Sequence, residues 1–297
     1  MAVSRLYRVL TKHILTSYEF WFFSIFFTLF WAFMGAYAFS RNLTVDTLRE
    51  MLLNRGVPPD MINNIIDEAW NSVVKSYSGG WFATVVVISF GSTSIGLVHY
   101  VYNSTLPLRY LSKFSKITSR RILLELVIGS LVALLISFLI LFTVCTAMFS
   151  HRFDKLILPE NPLGLALASI VYGLLIYLLS MTLGLTAVVL RKPGLITKIS
   201  YIPFTLSMAL SLLSVYVGGE VYHYTPFVSA MSLLFYYSAN IKPPYDKPLA
   251  YSGSDFTPVE PLHAWIVQVL WITLFTLASL ILLKKQKGIP AEEILAT

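Results

Sequence analysis

Charge is scarce in this sequence. Only 12% of the 297 residues are Asp, Glu, Lys or Arg, while 56% are hydrophobic, giving a mean hydropathy of +0.71. A water-soluble domain carries about 25% charged residues, so the shortage excludes a chain surrounded by water alone and assigns it to lipid. Cysteine is scarcer still. Cys145, inside an apolar run, is the only one, which rules out an internal disulfide or a thiolate metal site and leaves a small buried hydrophobe. The sequence has no GxxxxGK[ST] phosphate loop, no HExxH, no histidine pair at ligand spacing and no cysteine cluster. It therefore offers no nucleotide cradle of that kind, no metal site and no catalytic residue, and the chain is not expected to be an enzyme. His13, His99, His151, His223 and His263 all lie at the ends of apolar segments, where an imidazole is an interfacial group. Internal repeats and low-complexity tracts are also missing.

Long apolar runs are what the chain has in abundance. A membrane-spanning helix needs about 20 such residues. Runs at 20–39, 81–102, 122–149, 163–190 and 264–283 meet that length, and 194–217 does so despite Lys198 and Pro203. A further stretch, 225–239, has only about 15 apolar residues and reads as a re-entrant external segment. Six spans place both termini on one side with Arg5, Arg8, Lys12, the basic 105–121 stretch, Arg191, Lys192, Lys198, Lys284, Lys285 and Lys287. That makes fourteen Lys and Arg on that side against eight on the other. The excess identifies the cytoplasmic face by the positive-inside rule. The net charge of +7 is thus explained by topology, with no nucleic-acid partner. Asp46, Asp67, Glu160, Asp255 and Glu260 are among the acidic residues that fall outside.

The expected fold class is an all-α polytopic membrane protein: six transmembrane helices, an N-terminal amphipathic helix and a re-entrant external segment after the fifth. The chain reads as a single transmembrane domain, 1–297. Within it lie a cytoplasmic amphipathic helix (1–19), an external helical hairpin (40–80), a cytoplasmic hook (103–121), an external re-entrant segment and loop (218–263) and a cytoplasmic tail (284–297). The N-terminus is not a cleavable signal, because the apolar run after Arg5, Arg8 and Lys12 is too long for a signal-peptide core. In the hairpin, Thr44 caps one short helix, Gly56 ends it and Pro58-Pro59 start a second. Asn42-Leu43-Thr44 is a glycosylation sequon on the outer face.

Two sites attract chemical readings. GSTSIG, residues 91–96, puts Ser94 among small neighbours, as in an intramembrane serine protease. Ser94 has no glycine immediately after it and no histidine deep in another span, so close helix packing through small residues competes with that reading. Glu125 is four residues after Arg121 and within pairing reach on one helical face. The second site is TLPLRYLSKFSKITSRR, 105–121. With Pro107 in a first turn capped by Thr105 or Leu106, helical spacing places Tyr110, Leu111, Phe114 and Ile117 on one face. Arg109, Lys113, Lys116 and Arg120 fall on another. Charge topology explains the basic face, and a membrane-surface helix remains open for the apolar one.

The stretch 104–131 resembles the junction of spans two and three in the type-2 ABC exporter permeases, whose pattern is "GTLE-x-L…LP-[IV]-[ST]-R-x-x-[IL]-L". Thr105-Leu106 stands where that threonine-leucine lies, and Thr118-Ser119-Arg120-Arg121-Ile122-Leu123-Leu124 follows the exit pattern. Pro107 replaces the acidic residue, and His99 and Tyr100 stand where the family is commonly acidic. The basic N-terminal helix, the six spans and HYTPFVSAMSLLFYYSA after the fifth are similar to its layout. The resemblance implies a permease subunit of an ATP-driven exporter in the plasma membrane. It would work as a homo- or heterodimer, embedded in membrane lipid, with ATP and Mg on separate ABC ATPase subunits. It further implies a coupling helix formed by Pro107, Arg109, Tyr110, Leu111, Lys113, Phe114 and Ile117, and an external gate at Tyr224, Pro226 and Phe227. A non-transporting scaffold subunit of a membrane complex is the alternative, with the serine protease behind it.

Overall fold

The computed structural model describes residues 6–114, 118–192, 194–251, 253 and 255–286. Among these the chain is helical, with a single isolated bridge between Pro244 and Pro258. Six helices are long and apolar enough to cross a membrane: this is a multi-pass membrane protein. The helices are α1 (Leu6–Thr16), α2 (Phe22–Phe39), α3 (Val45–Asn54), α4 (Pro59–Phe114), α5 (Ser119–Arg152), α6 (Pro162–Leu190), α7 (Leu195–Tyr216), α8 (Pro226–Ala239) and α9 (Pro261–Lys285). The spans are α2, α4, α5, α6, α7 and α9.

Local chemistry sets most helix boundaries. Thr44, Thr118, Asn161 and Thr225 each cap a helix by accepting a hydrogen bond from a backbone N–H three residues on. Pro162 and Pro226 occupy first-turn positions, where a missing N–H costs nothing. Arg191 and Asn240 close α6 and α8 in the left-handed conformation. The first span departs from regular geometry, with two π-helical stretches, Phe22–Phe26 and Met34–Phe39.

One helix organises the rest. α4 has 56 residues, about 84 Å at the usual rise, nearly three times the roughly 30 Å of a hydrocarbon core. Its most apolar window is 89% buried, against 28% for α2 and α7 and 22% for α9. Helices α2, α5, α6, α7 and α8 all pack on it. Within 40–80, the stretch expected to form an external hairpin, the first helix exists as α3 and the second is the N-terminal part of α4, which runs on with no break at Gly79-Gly80. The reason is packing: a Cβ on Gly79 would stand 3.1 Å from the Ala239 Cβ, so this glycine admits α8 against α4 and ends nothing. The third span is also longer than its apolar run, and α5 continues to Arg152, whose guanidinium donates to the Oγ and carbonyl of Ser40 at 2.9 Å.

α8 is too short to cross, with 14 residues, and is buried along most of its length. Its C-terminal end is held near the start of α6, where Asn161 N donates to the Tyr237 carbonyl at 2.9 Å. Trp265 Nε1 donates to the Tyr237 hydroxyl at 3.0 Å. Its N-terminal end is held further along α9, where Gln268 Nε2 donates to the Pro226 carbonyl at 2.6 Å and Trp271 Nε1 to that of Tyr224 at 2.9 Å. Trp271 lies ten residues beyond Pro261, so α8 begins about 15 Å along α9 from that helix's first turn.

Candidate functional site

The junction of α4 and α5 carries the partner-coupling residues expected from sequence. No separate helix starts at Pro107. α4 runs through it to Phe114 and α5 begins at Ser119, capped by Thr118. An interior proline removes one helical hydrogen bond and crowds the carbonyl a turn earlier. Just ahead of it, Ser104 Oγ donates to the Val101 carbonyl at 3.0 Å and Thr105 Oγ1 to that of Tyr102 at 2.8 Å. Thr105 is thus a buried group inside the helix and not a cap, which corrects the sequence expectation. Pro107 is exposed and Tyr110 is 57% exposed. The side chains of Arg109, Leu111, Lys113 and Phe114, and the whole of Ile117, lie outside the described residues.

A residue absent from the sequence reading anchors this junction. Leu108 is 4% exposed and packs in a cluster with Ile14, Phe20, Val101, Ile122 and Leu123. The tip of α4 therefore shares one buried cluster with α1, α2's approach and the first turn of α5. The signal was present: Leu97, Val101 and Leu108 continue the buried stripe of the second span at helical steps. Starting a new helix at Pro107 conceals that continuity. Beneath it, Glu125 is 8% exposed and Arg121 is exposed. Among the described residues the ion pairs are Lys75–Glu160 and Lys242–Glu260, so the expected pairing of Arg121 with Glu125 is not made.

The three external gate residues are not brought to one constriction. Phe227 is 3% exposed and meets the ring of Tyr172 edge-on at 6.5 Å. Pro226 is buried in the first turn of α8, whereas Tyr224 is 57% exposed and accepts a hydrogen bond from the Tyr245 hydroxyl at 3.0 Å. Sequence reasoning missed what surrounds Tyr224. His223 is buried, stacks on Tyr245 at 5.0 Å and has its Nδ1 3.3 Å from Ser232 Oγ. His263 meets both Tyr224 and Tyr245 edge-on, at 5.2 and 5.8 Å. Desolvation, and then the neighbouring His263, lower the His223 pKa to about 4. Below this ring cluster lies a cavity of about 10 Å³, lined by Ser214, His223, Met231 and Ser232 among others, roughly the room of one water. Among the described residues no group of three His, Cys, Asp or Glu side chains could hold a metal ion.

Inside the bundle, hydroxyls serve as links between helices. Thr28 Oγ1 lies 3.1 Å from Ser89 Oγ, and the Tyr172 hydroxyl donates to the Val87 carbonyl at 3.2 Å and lies 3.1 Å from Ser207 Oγ. Ser94, the serine of GSTSIG, is buried and donates to the Ser200 carbonyl at 3.3 Å. The motif thus sits at the contact of α4 with α7, and a Cβ on Gly91 would collide with the Ser207 hydroxyl. No protein-family model, curated protein or solved structure matches this chain.

Proposed function

We propose that the chain is the permease subunit of an ATP-driven exporter of the type-2 ABC kind, taking its energy from separate ATPase subunits on the cytoplasmic side. The observation that carries this reading is the continuity of α4. A push on its tip at Pro107 and Tyr110 is applied to the most buried element of the bundle, without an intervening joint until the outer surface. Because the tip packs on α5 and Leu108 shares a buried cluster with the first turn of that helix, the push also tilts the third span. At its outer half α4 packs against α8, so the same rod reaches the external cap. The exposed Tyr110 ring offers the partner an aromatic anchor of the kind that dominates such contacts.

The finer layout follows from the same reading. Both termini lie in the cytoplasm, and α1, with its exposed Arg8 and Lys12 and buried Ile14, is an amphipathic helix at the cytoplasmic surface of the cell membrane. α8 is a re-entrant helix, since its 14 residues span about 21 Å, its C-terminal end is held at the external start of α6 and its N-terminal end is held further along α9. Two copies, or this chain and a related one, enclose the substrate path.

The decisive experiment is purification of the full chain in mild detergent from its source cells, followed by identification of bound proteins. An ABC ATPase should copurify, and Phe114→Asp should release it or uncouple its ATP turnover while the membrane chain stays folded. Absence of any ATPase would favour a scaffold subunit. Unchanged coupling in the Phe114→Asp protein would remove the hook from the mechanism.

A further inference from the structure

Beside the α1–α5 contact the structure has a feature that the export reading does not use. An open groove of about 340 Å³ is lined by Tyr7, Arg8, Thr11, Lys12 and Leu15 of α1 and by Val132 of α5. α1 is pinned there, because the Thr11 hydroxyl lies within donating distance of two carbonyls, that of Tyr7 at 2.8 Å and that of Gly129 at 3.0 Å, and shares its one proton between them. The helix LYRVLTKHILT contains no acidic residue. Arg8 is exposed, and its Nε donates to the Tyr7 hydroxyl at 3.2 Å. Among the described residues neither Arg8 nor Lys12 belongs to an ion pair. Glu125, the one acid in α5, is buried and does not line the groove.

The groove is also continuous with an apolar track. Ile128, Val132, Leu135 and Leu139 follow one another at helical steps along one face of α5, and are 39%, 43%, 45% and 53% exposed. The level is right for a membrane boundary. From Gly129, where Thr11 anchors α1, to Phe149 is about 20 residues, or 30 Å of helix, the thickness of a hydrocarbon core.

We infer that this groove is a binding site for an anionic phospholipid. The phosphate sits between Arg8 and Lys12, within reach of the Tyr7 hydroxyl, and one acyl chain lies along Val132, Leu135 and Leu139. Two cations that belong to no ion pair among the described residues select the negative headgroup. The apolar track selects a lipid over a soluble phosphate. The bound lipid fills the gap between α1 and α5 and so fixes α1, which through Ile14 shares the cluster that holds the tip of α4.

The test uses the full chain in mild detergent, with phosphatidylglycerol, phosphatidylcholine and inorganic phosphate added separately. Retained lipid is counted by native mass spectrometry and the melting temperature is followed. Phosphatidylglycerol should bind at low stoichiometry and raise the melting temperature, and neither of the others should match it. The double variant Arg8→Gln, Lys12→Gln should lose at least about tenfold in affinity for phosphatidylglycerol, while Arg8→Lys, Lys12→Arg should keep it. Leu139→Asn, far from α1, should weaken the lipid and so checks the track independently of the headgroup. Equal binding of phosphatidylcholine, an equal effect of inorganic phosphate, or undiminished binding by the glutamine variant would each overturn the site.

Discussion

Gly91 has no room for a side chain, because the Ser207 hydroxyl already occupies the place of its Cβ. Gly91→Val therefore forces α7 away from α4 and should cost about 1–3 kcal/mol, read as a lower melting temperature in detergent. Gly194→Ala, where nothing stands within 4 Å of the added carbon, should be close to neutral. His223 carries the pH dependence of the ring cluster beside α8. Its folded pKa, lowered to about 4 by burial and by His263, is below the ordinary value near 6.5. The unfolded chain thus binds the proton first, and stability is fully present above about pH 6.5 and falls as pH drops toward 4. Melting curves across that range should show this slope in the wild type and a flatter one in His223→Gln. A slope that survives the substitution would assign it to another group. Close packing through small residues was one sequence reading of the stretch around Gly91, but its partner was not legible, and His223 looked like one more interfacial histidine, because the neighbours that define them, Ser207, Tyr245 and His263, come from other elements.

Among the elements, α4 departs most from what its sequence suggests. Gly79-Gly80 and Pro107 are breakers by propensity, yet the helix passes through all three. Propensity lost to packing at the glycines, where α8 closes on α4, and beyond Pro107 to the burial of Leu108, which is 4% exposed. Pro107→Ala restores a backbone donor inside a helix and should raise the melting temperature, with an upper bound of about 3 kcal/mol from intrinsic preference. A fall instead would mean that the chain near Pro107 needs a bend that alanine does not supply. The ends of other elements were legible because their signals are local: Thr44, Thr118, Asn161-Pro162 and Thr225-Pro226 carry both the cap and the helix start within a few residues.

For the whole molecule the proposed orientation has a direct check. Cys145 is buried and silent to a membrane-impermeant maleimide, so single introduced cysteines report topology cleanly. Asp46→Cys and Asp255→Cys should label on intact cells, and Lys284→Cys only after the membrane is opened. The opposite pattern would invert the chain and place the Pro107 tip outside, which would end the coupling proposal. The end of the bundle that carries α8 and the 240–260 loop is held together largely by contacts over long sequence distances. Leu249 and Ala250 donate from the loop to the carbonyls of Ser214 and Val215 at 3.0 and 3.1 Å, and Lys75 pairs with Glu160.

Sequence alone determined that the chain lives in lipid and crosses it on six helices. An apolar run of some 20 residues has to satisfy its backbone internally there, which leaves a helix as its form. Tertiary structure decided which run is the core. α9 has a mean hydropathy of 2.4 and is 22% buried, while α4 has 1.8 and is 89% buried. Hydropathy cannot rank them, because lipid tails and protein interior are equally apolar solvents. What distinguishes α4 is the set of small and hydroxyl side chains, Gly79, Ser89, Gly91 and Ser94, that let α2, α7 and α8 approach. Their purpose is visible only once those partners are in place.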